Sequence, residues 1–176
     1  MSGGLSYVRL PHGRNLCGAE LETFVGDLAN CPELWIDLVK HDQTQRHYEE
    51  IFSNEYVTAW LICWMEDHDT GFHDHDISCG AVSVVSGCVR EERLALDGSR
   101  SDRLVRAGES FHFSASDIHR VRHAGSDPAV SLHAVSLHVY SPPLLSMGAY
   151  VVGENGRLQR QTIPASEELR PLGAAA

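Results

Sequence analysis

His73 and His75, in Gly71-Phe72-His73-Asp74-His75, and His119, in Ile118-His119-Arg120-Val121, are the residues of this chain best suited to chemistry. Two histidines two positions apart in a strand point to the same face, so both imidazoles reach one metal ion. A third, brought by another strand, completes a facial triad and leaves coordination positions open for substrate and oxygen. Such an open site suits a redox enzyme rather than a closed structural metal site. A lone His-x-His is a weak signal in a chain with 11 histidines. It gains weight from the nearby glycines 71, 80 and 87 and from His119 downstream. Three neutral imidazoles leave a bound ion its full divalent charge, which a thiolate substrate would partly neutralise. Zinc would occupy the same nitrogens without a redox step, and ligand type alone does not choose among iron, zinc, nickel and manganese.

The elements that must position these residues change character along the chain. Residues 19–28 carry Leu21, Phe24, Val25 and Leu28 at helical spacing. Pro32 fits the first turn of a second helix whose buried face would be Leu34, Trp35, Leu38 and Val39. Residues 40–46 read as a bridge into a sheet. Residues 56–64, rich in aromatic and branched side chains, read as a strand buried on both faces. Further strands are expected from His73, over 81–85, 89–96, 103–106, 109–113, 119–123 and 130–140, with short ones near 151–152 and 158–163. Turn signals separate them: Gly87, Asp97-Gly98-Ser99, Ala107-Gly108, Gly125-Ser126-Asp127-Pro128 and Gly153-Glu154-Asn155-Gly156, with Pro142-Pro143 closing the longest strand. Many short strands with glycine and proline turns favour a barrel or sandwich, and the missing helical patterns between them argue against a βαβ enzyme. A five-residue repeat, Val130-Ser131-Leu132-His133-Ala134 then Val135-Ser136-Leu137-His138-Val139, puts His133 and His138 on opposite faces of an unbroken strand. A bulge would reconcile them, and His133 stays open as ligand, surface group or core histidine. The tail beyond Pro164 is expected to be loose.

Composition narrows the classes. The 176 residues suffice for one domain, and 43% hydrophobic with 22% charged content is that of a soluble globular protein. A net charge of −10 argues against a nucleic-acid partner. No apolar run approaches the ~20 residues of a membrane span, and residues 1–10 have no signal-like apolar segment, so a cytoplasmic protein is expected. Cys17, Cys31, Cys63, Cys79 and Cys88 form no CxxC pair, which fits a reducing compartment and mostly buried thiols.

The run Leu61-Ile62-Cys63-Trp64 followed by Gly71-Phe72-His73-Asp74-His75-Asp76-Ile77-Ser78-Cys79-Gly80 resembles the first cupin motif of the cysteine dioxygenase family. The runs His119-Arg120-Val121, Pro128-Ala129-Val130-Ser131-Leu132-His133 and Leu137-His138-Val139-Tyr140-Ser141-Pro142-Pro143 resemble its second half. The likeness covers roughly residues 46–150, with both halves in order. It implies a mainly β fold, a small cupin β-barrel or jelly roll with N-terminal helices. One domain would span 1–176, with a helical segment over 16–45 and the barrel over about 46–163. It implies Fe(II) on His73, His75 and His119, and oxidation of a small thiol to its sulfinic acid by O₂ without an external reductant. The family's serine–histidine–tyrosine relay matches Ser136, His138 and Tyr140, which strand alternation puts on one face. Its carboxylate-binding arginine is matched most nearly by Arg46, through a short gap and with Thr44 where the family has tyrosine. An arginine fork suits a carboxylate. The slot of a fourth cupin ligand, or of a crosslinking cysteine, is Gly80, as in bacterial-type members. Cys79 beside it is expected to point the other way as core filler.

The leading expectation is therefore an Fe(II) thiol dioxygenase for a small thiol carboxylate such as L-cysteine, a monomer or small homo-oligomer. Alternatives are a cupin metalloenzyme with a non-thiol substrate and a metal- or ligand-binding cupin without turnover. Cysteine, cysteamine, 3-mercaptopropionate and bulkier thiols are not separated by sequence alone.

Overall fold

The structure is a computed structural model describing residues 8–125, 133–153 and 157–172. The one α-helix among the described residues, α1 (Gly18–Ala29), buries the stripe Leu21, Phe24, Val25 and Leu28. The Glu20 carboxylate accepts the Cys17 amide at 2.9 Å and so satisfies a donor at the helix start. The second helix expected from Pro32 is instead two 3-10 turns, Pro32–Leu34 and Ile36–Leu38. Trp35 separates them, with φ −139°. Its indole N–H donates to the Leu28 carbonyl at 3.1 Å, drawing the chain across the end of α1.

Among the described residues eleven strands follow: β1 (His47–Ser53), β2 (Thr58–Met65), β3 (His73–Asp74), β4 (Cys79–Ser86), β5 (Cys88–Leu94), β6 (Arg100–Arg106), β7 (Ser110–Phe113), β8 (Ile118–His123), β9 (His133–Ser141), β10 (Ser146–Val152) and β11 (Leu158–Pro164). β1 is additional to the expected set. It is an edge strand with a register shift between Glu50 and Phe52, so its polar and apolar residues do not alternate cleanly. One sheet has the order β1-β2-β9-β4-β7 and the other β11-β10-β3-β8-β5-β6.

Between the sheets lie Trp64, Val82, Val84, Val89, Val105, Phe111, Phe113, Val121, Ala134 and Tyr140. The outer face of the first sheet is covered by α1, whose stripe packs with Leu61, Cys63, Val135, Leu137 and Val139. β9 is central in this sheet, so both its faces are buried from Ala134 onward. Val135, Leu137 and Val139 face the helix, leaving Ser136, His138 and Tyr140 for the barrel interior. The irregularity invoked for the repeat falls on β4, between Val84 and Ser86, and β9 runs unbroken along β2. His133 is exposed and stacks on His41 at 4.4 Å. The repeat's first residues, 130–132, the turn positions 126–128 and 154–156, and the last alanines lie outside the described residues.

Residues 165–172 are not loose. Leu169 is buried with Met147 and Ala149. The chain closes on Gly71, whose φ is +67° and where a Cβ would stand 2.8 Å from Pro171 Cα. All five cysteines are free. Cys63 and Cys88 are buried, Cys31 and Cys79 half-buried and Cys17 exposed, so fewer thiols are buried than expected.

Candidate metal centre and substrate pocket

β3 is only two residues long, yet it carries the start of the metal site. It is held from both sides: His73 is opposite His119 on β8 and opposite Ala149 on β10. Asp74 points away from the interior and fixes the strand. Its carboxylate accepts the amides of Asp76 at 2.9 Å and Gly148 at 3.1 Å, and Tyr150 Oη at 2.5 Å. It also accepts both Nε and Nη2 of Arg160 at 2.8 Å. Burial pushes this carboxyl upward, but Arg160, Tyr150 and the Asp76 amide outweigh it and hold it well below the usual carboxylate range.

The result is a triad of buried imidazoles, His73, His75 and His119, whose ligand nitrogens lie within 4.8 Å of one another. It is the one such group of three among the described residues. His73 Nδ1 donates to the Gly71 carbonyl at 3.1 Å, leaving Nε2 for a metal. His119 Nδ1 donates to Glu91 Oε1 at 3.1 Å, and its buried Nε2 has no hydrogen-bond partner among the described residues. His75 Nδ1 is likewise buried without a partner. Burial lowers all three pKa values, that of His73 to about 4, so the imidazoles are neutral with lone pairs to share. Unpaired buried nitrogens are costly in a metal-free core and are what a divalent cation would satisfy. The donor set therefore fits a mononuclear metal. His133, the competing ligand, is outside the group.

Phe113 packs the triad from below. Its ring stacks on His75 at 4.4 Å and lies 4.5 Å from His119. It takes the space beside Gly80, where a Cβ would stand 2.3 Å from Phe113 Cζ. Gly80 is opposite Tyr140, so this position offers no sulfur to that ring, and Cys79 packs on the helix side of the sheet.

Ser136, His138 and Tyr140 form a hydrogen-bonded line toward the triad. Trp64 Nε1 donates to Ser136 Oγ at 2.8 Å. Ser136 Oγ lies 2.8 Å from His138 Nε2, and His138 Nδ1 lies 3.3 Å from Tyr140 Oη. The serine oxygen accepts from Trp64 and keeps both a second lone pair and its own proton, so it can meet His138 Nε2 in either tautomer of the imidazole. With the imidazole proton on Nδ1, His138 would donate to Tyr140 Oη and leave the phenolic proton for the pocket. Burial, with Arg46 and His73 nearby, lowers the His138 pKa to about 3. Burial raises that of Tyr140 against a smaller opposing pull from Arg46. Both groups are neutral at pH 7.

A pocket opens beside the triad, with Arg46, Trp60, His73, His119, Tyr140 and Leu169 among its lining residues. Arg46 is 5% exposed. Its guanidinium lies over the Trp64 ring at 5.0 Å, and Nη2 donates to the Leu169 carbonyl at 2.7 Å. Its main-chain amide donates to Glu168 Oε1 at 3.0 Å. Nε and Nη1 are buried with no partner among the described residues. Burial pushes this guanidinium below its ordinary pKa, while Glu168 and Asp69 pull it back.

Sequence spacing brought out the triad, and the family resemblance brought out the relay and Arg46. Neither pointed to Trp64 as the donor behind Ser136, to Glu91 behind His119, or to Phe113 beneath the imidazoles. The alternation Val89, Glu91, Arg93 was a usable signal for Glu91, because it puts a carboxylate on the core face of β5.

A two-sheet barrel with three inward histidines defines a cupin metalloprotein with a mononuclear three-histidine site. A sequence model of the cysteine dioxygenase type I family matches residues 20–152. The chain belongs to that family. It is 25% identical over 142 residues to human cysteine dioxygenase type 1, covering 74% of this chain and 68% of that protein. It is 24% identical over 149 residues to the Bos taurus enzyme of the same name, covering 78% and 72%. Among solved structures, the TT1209 protein of Thermus thermophilus superposes with a TM-score of 0.52 at 18% identity, over 61% of this chain and 93% of that one. A Klebsiella pneumoniae protein with a double-stranded β-helix domain gives 0.51 at 10% identity, over 71% and 91%. These likenesses show the fold. Family and triad together define a non-haem Fe(II) enzyme of the thiol dioxygenase type. Among the described residues no helix is long and apolar enough to cross a membrane.

Proposed function

We propose that this enzyme oxidises L-cysteine, a small thiol carboxylate, to its sulfinic acid, with His73, His75 and His119 as the Fe(II) ligands. The reaction balances as R–SH plus O₂ giving R–SO₂H, so no external reductant enters. Fe(II) held by the triad would supply a redox centre with positions open to a thiolate sulfur and to dioxygen. The observation that carries the substrate reading is Arg46, a buried guanidinium beside the triad with Nε and Nη1 unsatisfied. A carboxylate would accept from an unpartnered N–H of this guanidinium and neutralise its buried charge.

The remaining residues orient and hold protons. Trp64, Ser136 and His138 hold Tyr140 in line, and Tyr140 would present its O–H to the reacting sulfur and oxygen. The apolar walls at Ile62, Val121, Leu144 and Leu169 keep bulk water from the site. The same reading takes residues 1–176 as one domain of a cytoplasmic protein, supported by the free thiols and the return of the tail onto Gly71.

The test compares cysteine, 3-mercaptopropionate and cysteamine with the iron-loaded enzyme. Cysteine should give the highest kcat/KM and cysteamine, which lacks a carboxylate, a far lower one. Equal values for cysteine and cysteamine would remove the carboxylate anchor. A clear preference for 3-mercaptopropionate would replace cysteine as substrate while keeping the anchor.

A further inference from the structure

Glu91 is a carboxylate on the inner face of a sheet and only 1% exposed. A charged side chain there needs partners, and the register supplies them. Across β6, Arg103 is directly opposite Glu91; across β8, Val121 is opposite Glu91 and His119 is opposite Arg93. Oε1 accepts His119 Nδ1–H and Arg93 Nε, each at 3.1 Å. Oε2 accepts Arg103 Nε at 2.7 Å and Nη2 at 2.6 Å. Every contact is charge-assisted, yet burying such a cluster is a weak route to stability compared with apolar packing of the same volume. The carboxylate does one thing an apolar residue cannot. It holds the His119 proton on Nδ1, so the lone pair of Nε2 faces His73 and His75. The rings around His119, Phe111 at 6.3 Å and Phe113 at 4.5 Å, fix its plane but cannot choose its tautomer.

We propose that Glu91 is the positioning residue of the metal centre: it sets the tautomer of His119 and makes Nε2 a stronger donor to a divalent cation. Arg93 and Arg103 keep the carboxylate in place and damp its charge, and Arg103 is itself seated over Phe111 at 4.8 Å. The inference rests on His119 being a metal ligand. It does not depend on which thiol is oxidised.

Zinc alone is the probe, because it tests the ligands without turnover. Zinc dissociation constants are measured by competition with a chromophoric chelator for the wild type, Glu91→Gln and Glu92→Gln. Glu92 points outward on the same strand and pairs with Arg120 and Arg122, so it controls for a lost charge nearby. Glu91→Gln should weaken zinc binding by about 10- to 100-fold, with Glu92→Gln unchanged. Equal affinity of Glu91→Gln and wild type overturns the proposal. So does an equal loss in both variants. Should Glu91→Gln not fold, long-range ¹H–¹⁵N spectra of the zinc-loaded wild type decide alone. A proton on Nδ1 and zinc on Nε2 of His119 support the assignment, and the reverse tautomer overturns it. A wild type without zinc affinity would instead refute the triad as a metal site.

Discussion

Replacing Gly80 by alanine tests how the metal site is built, because the structure fixes what one methyl would meet. Gly80 is opposite Phe113 on β7 and Tyr140 on β9. Its added Cβ would stand 2.3 Å from Phe113 Cζ, 2.4 Å from Cε2 and 3.1 Å from Tyr140 Cδ1. The Phe113 ring must retreat by about an ångström to restore van der Waals contact. It is 1% exposed and cannot swing into solvent, and its retreat is blocked by His75 and His119. Overpacking of this kind costs about 1–3 kcal/mol. At about 2–4 °C per kcal/mol for a chain of this size, Tm should fall by about 2–12 °C. Iron content should fall with it, because two of the three imidazoles are displaced. Phe113→Leu removes the colliding ring tip, so the double variant should be more stable than the sum of the single effects by about 0.5–3 kcal/mol. The assay is thermal and urea unfolding of the metal-free protein, with iron per chain measured after loading. Gly80→Ala melting with the wild type and holding full iron would refute the reasoning, as would strictly additive effects.

Tyr140→Phe should keep iron but lower sulfinate formation by about 100-fold or more, the loss expected when a positioned proton donor goes; near-native turnover would demote Tyr140 to packing. Arg46→Lys should raise KM for cysteine by about tenfold or more, because a point charge cannot replace the directed donors of a planar guanidinium, while KM for cysteamine stays put; an unchanged cysteine KM would contradict this. The metal-free protein should lose stability as pH falls. His73 and His138 titrate near 4 and 3 in the folded state and near 6.5 when unfolded, because burial disfavours their charged forms. The unfolded chain thus takes up protons first, so the stability present above pH 6.5 declines toward pH 4, by roughly 1.4 kcal/mol per group for each pH step of one. Urea titrations across this range check it, and a flat profile from pH 7 to 4.5 would contradict it.

What could be read before the structure followed local periodicity. The helical stripe of α1 and the same-face pairs His73 and His75, then Ser136, His138 and Tyr140, are consequences of periods 3.6 and 2. Their meeting in space is a matter of register between distant strands, which local pattern does not encode. His73 faces His119 across 46 positions because β3 pairs with β8. Arg46 is held by Glu168 and Leu169 over more than 120 positions, so neither its place in the pocket nor the folding of the tail was visible locally. The second helix breaks at Trp35, whose φ of −139° is not helical and whose indole is tied to the Leu28 carbonyl. β1 hid behind its irregular register. Glu91 went unread although strand alternation signals it, because a carboxylate among arginines also fits a solvated strand and the opposing strands decide between the two.

The most direct test of the central claim supplies ¹⁸O₂ and L-cysteine to the protein loaded with Fe(II) or with zinc. One O₂ should be consumed per cysteine sulfinic acid formed, with both sulfinate oxygens labelled, and no reaction should occur with zinc. Oxygen uptake without sulfinate, a single labelled oxygen, or equal activity with zinc would contradict it.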